Sequence, residues 1–153
     1  IVEGRFDKSL YCHELVSREP FLAVVAPSVS LPEGPIQWED ILHLPLIVRE
    51  KGSGTRDILE SLLLANNLTL DDFASVQELG NFSALMHLVK EGLGITFAYL
   101  PVLEKGLEEG TLCPVNLQGV TLQRDFRLVT LKGSLAKEQA DEFLQFIRRT
   151  EKG

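Results

Sequence analysis

Apolar positions along the chain alternate between two spacings, one typical of buried strands and one typical of amphipathic helices. A continuous apolar run of strand length occurs at 21–26 (FLAVVA), and such runs suit strands that are covered on both faces. A short apolar run at 46–48 (LIV) and the mostly apolar segment 93–98 (LGITFA) also indicate strands. Elsewhere, apolar residues recur three and four positions apart, as on one face of a helix. Two such sets are Ile58, Leu59, Leu62 and Leu63, and Leu85, Leu88 and Val89. Strands that alternate with helices in this way predict an α/β fold with a parallel sheet.

The same pattern gives approximate bounds for every element. Predicted strands cover 10–16, 21–26, 46–48, 73–79, 93–98, 112–117 and 126–131. Predicted helices are a short one at 38–44, one that follows the loop 52–55 and ends at 66–67, and others at 81–92, 101–110 and 135–149. The last helix carries Ala140, Phe143, Leu144 and Ile147 on one stripe, which predicts that it packs against the body of the protein.

The stretch 46–66 organises the rest of the chain, because a strand, a glycine-rich loop and a helix start follow one another there. Ser53 or Thr55 can cap the helix, and the glycines of the loop let a ligand approach the backbone. The first N–H groups of the helix carry partial positive charge and can hold an anion, to which Arg56 would add charge. Two interpretations stay open: the loop only forms a turn and caps the helix, or it binds an anion.

Two further junctions resemble this one. Gly80–Ser83 follows a predicted strand and opens a helix that Asn81 or Ser83 can cap, and Tyr99–Pro101 forms the turn into the next helix. In open α/β sheets ligands bind beyond the carboxyl ends of strands, where helix N-termini converge. The three loops therefore predict a binding site at one edge of the sheet.

Composition narrows the class of ligand. The 153 residues include 44% hydrophobic and 24% charged residues, which is typical of a globular protein with one domain or two small lobes. A formal net charge of −7 argues against nucleic-acid binding by this chain alone, since phosphate binding needs a clustered basic surface. No apolar run is long enough to cross a membrane, and no signal peptide is recognisable, so a cytoplasmic location is expected.

Residues for catalysis or metal binding do not form a recognisable pattern. His13, His43 and His87 are scattered, no serine or cysteine stands in a nucleophile motif, and the loop 52–55 matches neither the phosphate loop nor the dinucleotide fingerprint. Cys12 and Cys113 are far apart and lack metal-ligand spacing, which predicts free buried thiols. We therefore expect a binding protein rather than an enzyme, with no metal and no cofactor.

Five segments together resemble the effector-binding domain of LysR-type transcriptional regulators. They are FLAVVAP, WEDILHLPLIVREKGSGTR, ELGNFSALMHLVKEGLG, ITFAYLP and LEEGTL, in this order and over nearly the whole chain. The combination of REKGSGTR with the downstream LVKEGLGITFAYLP is more specific than either segment alone.

The resemblance implies a periplasmic-binding-protein-like (type 2) fold of two α/β lobes, with an effector in the cleft between them. By analogy, the first lobe comprises 1–27 plus 126–153 and the second comprises 28–125. The chain begins in what looks like the end of a strand, so the first lobe is expected to be incomplete. The winged helix-turn-helix that binds DNA in the family has no counterpart in this chain.

The resemblance also implies which residues contact the effector, which the helix N-termini suggest is a small anion. Effector binding would shift the population of two arrangements of the lobes. In the family, the effector domain forms a homodimer and the full-length protein a tetramer, with DNA bound only through the N-terminal domain. The family's effector contacts match Glu3, Gly4, Ser53, Gly54, Thr55, Asn81, Phe82, Ser83, Tyr99 and Pro101 in this sequence.

Two other classes of protein share this architecture. One is the extracytoplasmic solute-binding proteins, and the other comprises metabolic enzymes with a related two-lobe fold, for which the sequence shows no catalytic residues. The peroxide-sensing branch of the resembled family uses a closely spaced cysteine pair. The positions of Cys12 and Cys113 depart from that pattern, so a redox role is not expected.

Overall fold

A computed structural model describes residues 1–3, 7–120, 122–134 and 136–150 of the protein. The described chain divides into two compact units, Ile1–Pro20 with Gln123–Gly153 and Phe21–Leu122. The strands are β1 (Val2–Glu3), β2 (Tyr11–Val25), β3 (Pro45–Arg49), β4 (Ser75–Leu79), β5 (Thr96–Tyr99), β6 (Cys113–Val115) and β7 (Leu122–Leu131). The helices are α1 (Gly54–Ala65), α2 (Phe82–Lys90), α3 (Leu100–Glu108) and α4 (Lys137–Thr150).

The second unit, Phe21–Leu122, has parallel strands at its centre. β3 and β4 pair in parallel, with Pro45 opposite Ser75 and Arg49 opposite Leu79. Ile95, just before β5, joins the other side of β3 through the bonds Ile47 N–H to Ile95 O and Ile95 N–H to Pro45 O, both 2.9 Å. The predicted parallel arrangement is therefore confirmed for these strands, whereas the end of β2 pairs antiparallel with both β5 and β6.

Two predicted elements differ from the structure. The strands predicted at 10–16 and 21–26 are one continuous strand, β2, because the polar segment between them contains no glycine turn and remains extended. The helix predicted at 38–44 is only a 3₁₀ turn, Trp38–Asp40. The Asp40 carboxylate accepts the N–H of Gln37 at 2.8 Å and closes that single turn, and Pro45 disfavours helical backbone immediately before it.

The core of the second unit forms where α2 and α3 pack on the sheet. Val24, Ile47, Leu85, Val89 and Leu103 are buried together. The predicted apolar face of α1 is confirmed. Three of its four residues are buried, namely Ile58, Leu59 and Leu63, and the fourth, Leu62, is half-buried. Amphipathic spacing therefore identified the packed faces of both α1 and α2.

The first unit contains β1, the outer part of β2, most of β7, and α4. The Asp125 carboxylate accepts hydrogen bonds from Arg18 Nε at 2.7 Å and from Arg127 at 2.8 Å, and these guanidinium groups, Arg18 foremost, hold the pKa of Asp125 below its usual value. The predicted stripe of α4 is only partly buried: Leu144 is buried, but Phe143 is 46% exposed. This helix therefore packs through a narrower ridge than its sequence predicts.

Gly94 marks the closest backbone approach between β3 and the start of β5. A Cβ atom there would overlap the carbonyl oxygen of Pro45 and lie 3.1 Å from Cγ1 of Ile47. We expect Gly94→Ala to lower the free energy of unfolding by about 1–3 kcal/mol, because the parallel pair must separate to admit the methyl group. Urea unfolding measures this change.

Gly80→Ala is the matched control, because a Cβ atom at Gly80 meets nothing within 4 Å. Equal unfolding free energies for the two variants would contradict the close approach of β3 and β5.

Candidate functional site

Three helices of the second unit begin directly beyond the ends of three neighbouring strands. α1 follows β3, α2 follows β4 and α3 follows β5. Because β3 and β4 are parallel and Ile95 bridges in parallel to β3, the three helix N-termini lie along the same side of the sheet. We call residues 53–55, 81–83 and 99–101 the strand-end edge. Its unpaired helix N–H groups give this edge partial positive charge.

The N-terminus of α1 has no side-chain cap. Ser53 occupies the N-cap position with extended backbone (φ −74°, ψ 129°), yet its side chain makes no capping hydrogen bond. Thr55 is the second residue of the helix and, like Ser53, is half-buried. The sequence left two interpretations open, helix capping and anion binding. The structure contains no capping hydrogen bond from the Ser53 side chain.

The turn before α1 depends on a glycine. Gly52 has φ of +89°, a left-handed conformation that other residues adopt only with strain. The glycine-rich loop thus has a structural role at Gly52, while Gly54 opens the helix.

The N-terminus of α2 is capped in the ordinary way. The Asn81 side-chain oxygen accepts the N–H of Ala84 at 3.1 Å, so this amide already has a structural role. Phe82 is half-buried and Ser83 is exposed at the start of the helix. The N–H groups of Phe82 and Ser83 precede the first intrahelical bond, which Leu85 donates to Asn81.

Tyr99 belongs to the end of β5 and to the N-cap of α3. Its ring packs edge-on against Phe21, with the ring centres 5.2 Å apart, and the residue is buried. Pro101 lies exposed in the first turn of α3. Tyr99, which was expected in a turn, is thus the buried last residue of a strand. Its ring is buried because it packs with those of Phe21 and Phe97 in one aromatic cluster.

A small recess opens between the N-termini of α1 and α2. Thr55, Phe82 and Thr96 line it, and its cavity volume is only about 10 Å³. Thr96 is buried and donates its hydroxyl hydrogen to the Ile47 carbonyl at 2.7 Å. Thr96 was not among the predicted site residues, although a hydroxyl inside an otherwise apolar strand was an available signal.

Arg56 does not supply a free charge to the site. Its guanidinium is buried and donates to Glu60 at 2.7 Å, to the Arg49 carbonyl at 3.2 Å and to Glu78. These partners, Glu60 first and then Glu78, raise the pKa of Arg56. Arg56 is therefore paired with two carboxylates of the protein, and its charge is not free to face an anion.

Arg49, the other arginine beside the recess, is also paired. Its guanidinium forms two hydrogen bonds with the Glu50 carboxylate, at 2.8 and 2.9 Å. The pair raises the pKa of Arg49 and lowers that of Glu50. The strand-end edge consequently offers a ligand hydrogen-bond donors without a full charge, which are backbone N–H groups and hydroxyls.

The two remaining predicted contacts belong to the first unit. Glu3 ends β1, where its backbone pairs with Phe126 of β7. Gly4 lies outside the described residues. Within the described residues, no three His, Cys, Asp or Glu side chains cluster as metal ligands would. None of the described helices is both long and apolar enough to cross a membrane.

The family model described as "LysR substrate binding domain" matches residues 1–152. The chain belongs to this family. LysR regulatory domains share its periplasmic-binding-protein-like fold: the regulatory domain of CcmR from Synechocystis PCC6803, solved in complex with 2-PG, superposes with a TM-score of 0.78. That match has 18% identity and covers 97% of this chain and 71% of that one.

Two relatives by sequence carry different names. The transcriptional regulator YeiE of Escherichia coli K12 is 41% identical over 111 residues, which cover 68% of this chain and 36% of that protein. A protein of Anaeromyxobacter dehalogenans named as the phosphonates import ATP-binding protein PhnC is 33% identical over 147 residues, covering 96% of this chain and 30% of that protein. This chain contains no phosphate-loop motif to match the second name. It spans about a third of either relative.

Arg56 joins α1 to the ends of β3 and β4 at the strand-end edge, so we expect its replacement to reduce stability. Arg56→Met keeps most of the buried side-chain volume but removes the bonds to Glu60, Glu78 and the Arg49 carbonyl. The free energy of unfolding should fall by about 1–2 kcal/mol, since both carboxylates are half-exposed and regain water. Chemical denaturation measures this change.

The control is Lys105→Met, which breaks an exposed pair with Glu109 on α3, 3.8 Å apart. Exposed pairs of this kind contribute at most about 0.5 kcal/mol. A loss at Arg56 no larger than at Lys105 would show that the buried guanidinium is not an anchor.

Proposed function

We propose that this chain is the effector-sensing part of a LysR-type transcriptional regulator and that it binds a small anion at the strand-end edge. The observation that carries the proposal is the uncapped N-terminus of α1, where Ser53 and Thr55 are half-buried and neither serves as a side-chain cap. An anion there would accept hydrogen bonds from the first N–H groups of α1 and from the Thr55 hydroxyl. The family match favours this role over that of an extracytoplasmic solute-binding protein.

The proposed contacts are those predicted from the family. In the second unit they are Ser53, Gly54, Thr55, Asn81, Phe82, Ser83, Tyr99 and Pro101. Glu3 and Gly4 would add contacts from the first unit. The first lobe would comprise residues 1–27 and 126–153, and the second lobe would comprise residues 28–125. Because Asn81 already caps α2, its part would be to position the N–H groups of Phe82 and Ser83.

The proposed mechanism is a population shift without chemical turnover. A ligand changes the balance between two arrangements only by its differential affinity for them. We propose that the full-length regulator is a tetramer, that its effector domains pair as homodimers, and that it binds DNA only through its N-terminal domains. The shift would then alter DNA binding. The paired state of Arg49 and Arg56 favours a small, singly charged anion, because neutral donors would do most of the binding.

Variants of the α1 N-terminus separate a binding role from a capping role. We expect Ser53→Ala and Thr55→Val to leave the unfolding free energy of the free chain within about 0.5 kcal/mol of the parent, since no capping bond is lost. A working serine cap would instead contribute about 1 kcal/mol. Thr55→Val should weaken anion binding roughly tenfold, as expected for one lost charge-assisted hydrogen bond.

The binding measurement begins with a thermal-shift screen of acetate, glycolate, pyruvate, sulfate and phosphate, followed by calorimetry with the anion that stabilises the parent most. Ser61→Ala is the matched control, because its hydroxyl donates to Asp57 O further along α1 and should not affect binding. Unchanged affinity in both Ser53→Ala and Thr55→Val would refute the assignment of this loop.

A further inference from the structure

The second unit contains a cavity of about 200 Å³, which is partly open to solvent and lined mostly by apolar side chains. The side chains of Phe21 and Phe97, both buried, form one wall, and Leu62 of α1 lies on another. Val115 and Leu117, at the end of β6 and just beyond it, complete the apolar lining. The cavity is thus built between the sheet, α1 and the segment that follows β6.

The chemistry of this lining restricts the class of ligand. No charged side chain lines the cavity, and the only polar side chain is that of Asn116, which is exposed. A charged group inside would lose part of its hydration without gaining a charged partner, so the lining disfavours it. An apolar body can enter with little loss, because the apolar side chains of the lining offer no hydrogen bonds to the water that it displaces.

The size of the cavity sets the size of the ligand. An engineered apolar cavity of about 150 Å³ in another protein binds benzene. The cavity here is somewhat larger, so one six-membered ring with a small substituent fits. The aromatic wall favours a flat ring, which can stack or pack edge-on against Phe21 and Phe97.

We propose that this cavity is a second ligand site, which takes an uncharged molecule with a single aromatic or alicyclic ring and directs its polar substituent towards Asn116. Among the described residues, none of the predicted effector positions lines the cavity. The site is therefore separate from the proposed effector site and does not rest on the proposed function. Phe97 also lines the recess below Thr55, which gives the two sites one shared wall.

Fluorine NMR with fluorobenzene as the probe tests the site in the 153-residue chain. Saturable binding is expected for the parent, seen as a concentration-dependent shift or broadening of the fluorine signal. Leu62→Trp should weaken that binding by about tenfold or more, because the larger side chain occupies the cavity. Leu64→Trp is the matched control on the same helix: Leu64 is 72% exposed and does not line the cavity, so binding should be unchanged.

A second measurement locates the probe without any variant, in case Leu62→Trp fails to fold. Nuclear Overhauser contacts from the protons of fluorobenzene to the methyl groups of Leu62 and Leu117 are expected. Absence of saturable binding, or contacts only to methyl groups elsewhere, would overturn the proposal. Probe binding that disappears as protein concentration rises would also overturn it, since a second copy of the chain would then be the natural occupant.

Discussion

The buried guanidinium of Arg56 holds the strand-end edge together. It lies in the first turn of α1 and donates to Glu78 of β4, to the carbonyl of Arg49 at the end of β3 and to Glu60 one turn along its own helix. One side chain thereby ties the helix start to the ends of two neighbouring strands. The orientation of the unpaired N–H groups of α1 depends on this anchor.

The same interaction determines the electrostatics of the edge. A buried arginine must be paired, because an isolated charge in the interior is strongly destabilising. Since Arg56 is neutralised by carboxylates and Arg49 by Glu50, neither is available as a free cation. For the anion that we propose, the remaining donors are backbone N–H groups and hydroxyls, and the fold fixes the dipoles of these N–H groups before a ligand arrives. The edge thus combines a rigid frame with neutral donors.

Periodicity in the sequence predicted most of the second unit. The spacing of Ile58, Leu59 and Leu63 identified the buried face of α1, and the mostly apolar segment around Gly94 predicted a strand where β5 lies. Both are local patterns of burial, which sequence records directly. The single strand β2 was predicted as two, because a polar segment that remains extended carries no local signal of its own.

The candidate site was less predictable, for a different physical reason. The positions of Ser53 and Asn81 at helix starts followed from the sequence, but only the structure shows that Asn81 makes a capping bond and Ser53 does not. The spacing of Arg56 and Glu60 was visible as an i, i+4 pair. The partnership with Glu78 was not, because it joins residues that only the parallel pairing of β3 and β4 brings together.

The central claim is that an anion binds to the neutral donors of the uncapped α1 N-terminus. Backbone amide chemical shifts, followed by NMR while the most stabilising small anion is titrated, test it most directly. The account predicts that the largest shifts occur at the amides of Gly54, Thr55 and Arg56, with smaller ones at Phe82 and Ser83. Largest shifts at exposed lysines such as Lys51 or Lys90, with the α1 amides unmoved, would contradict it.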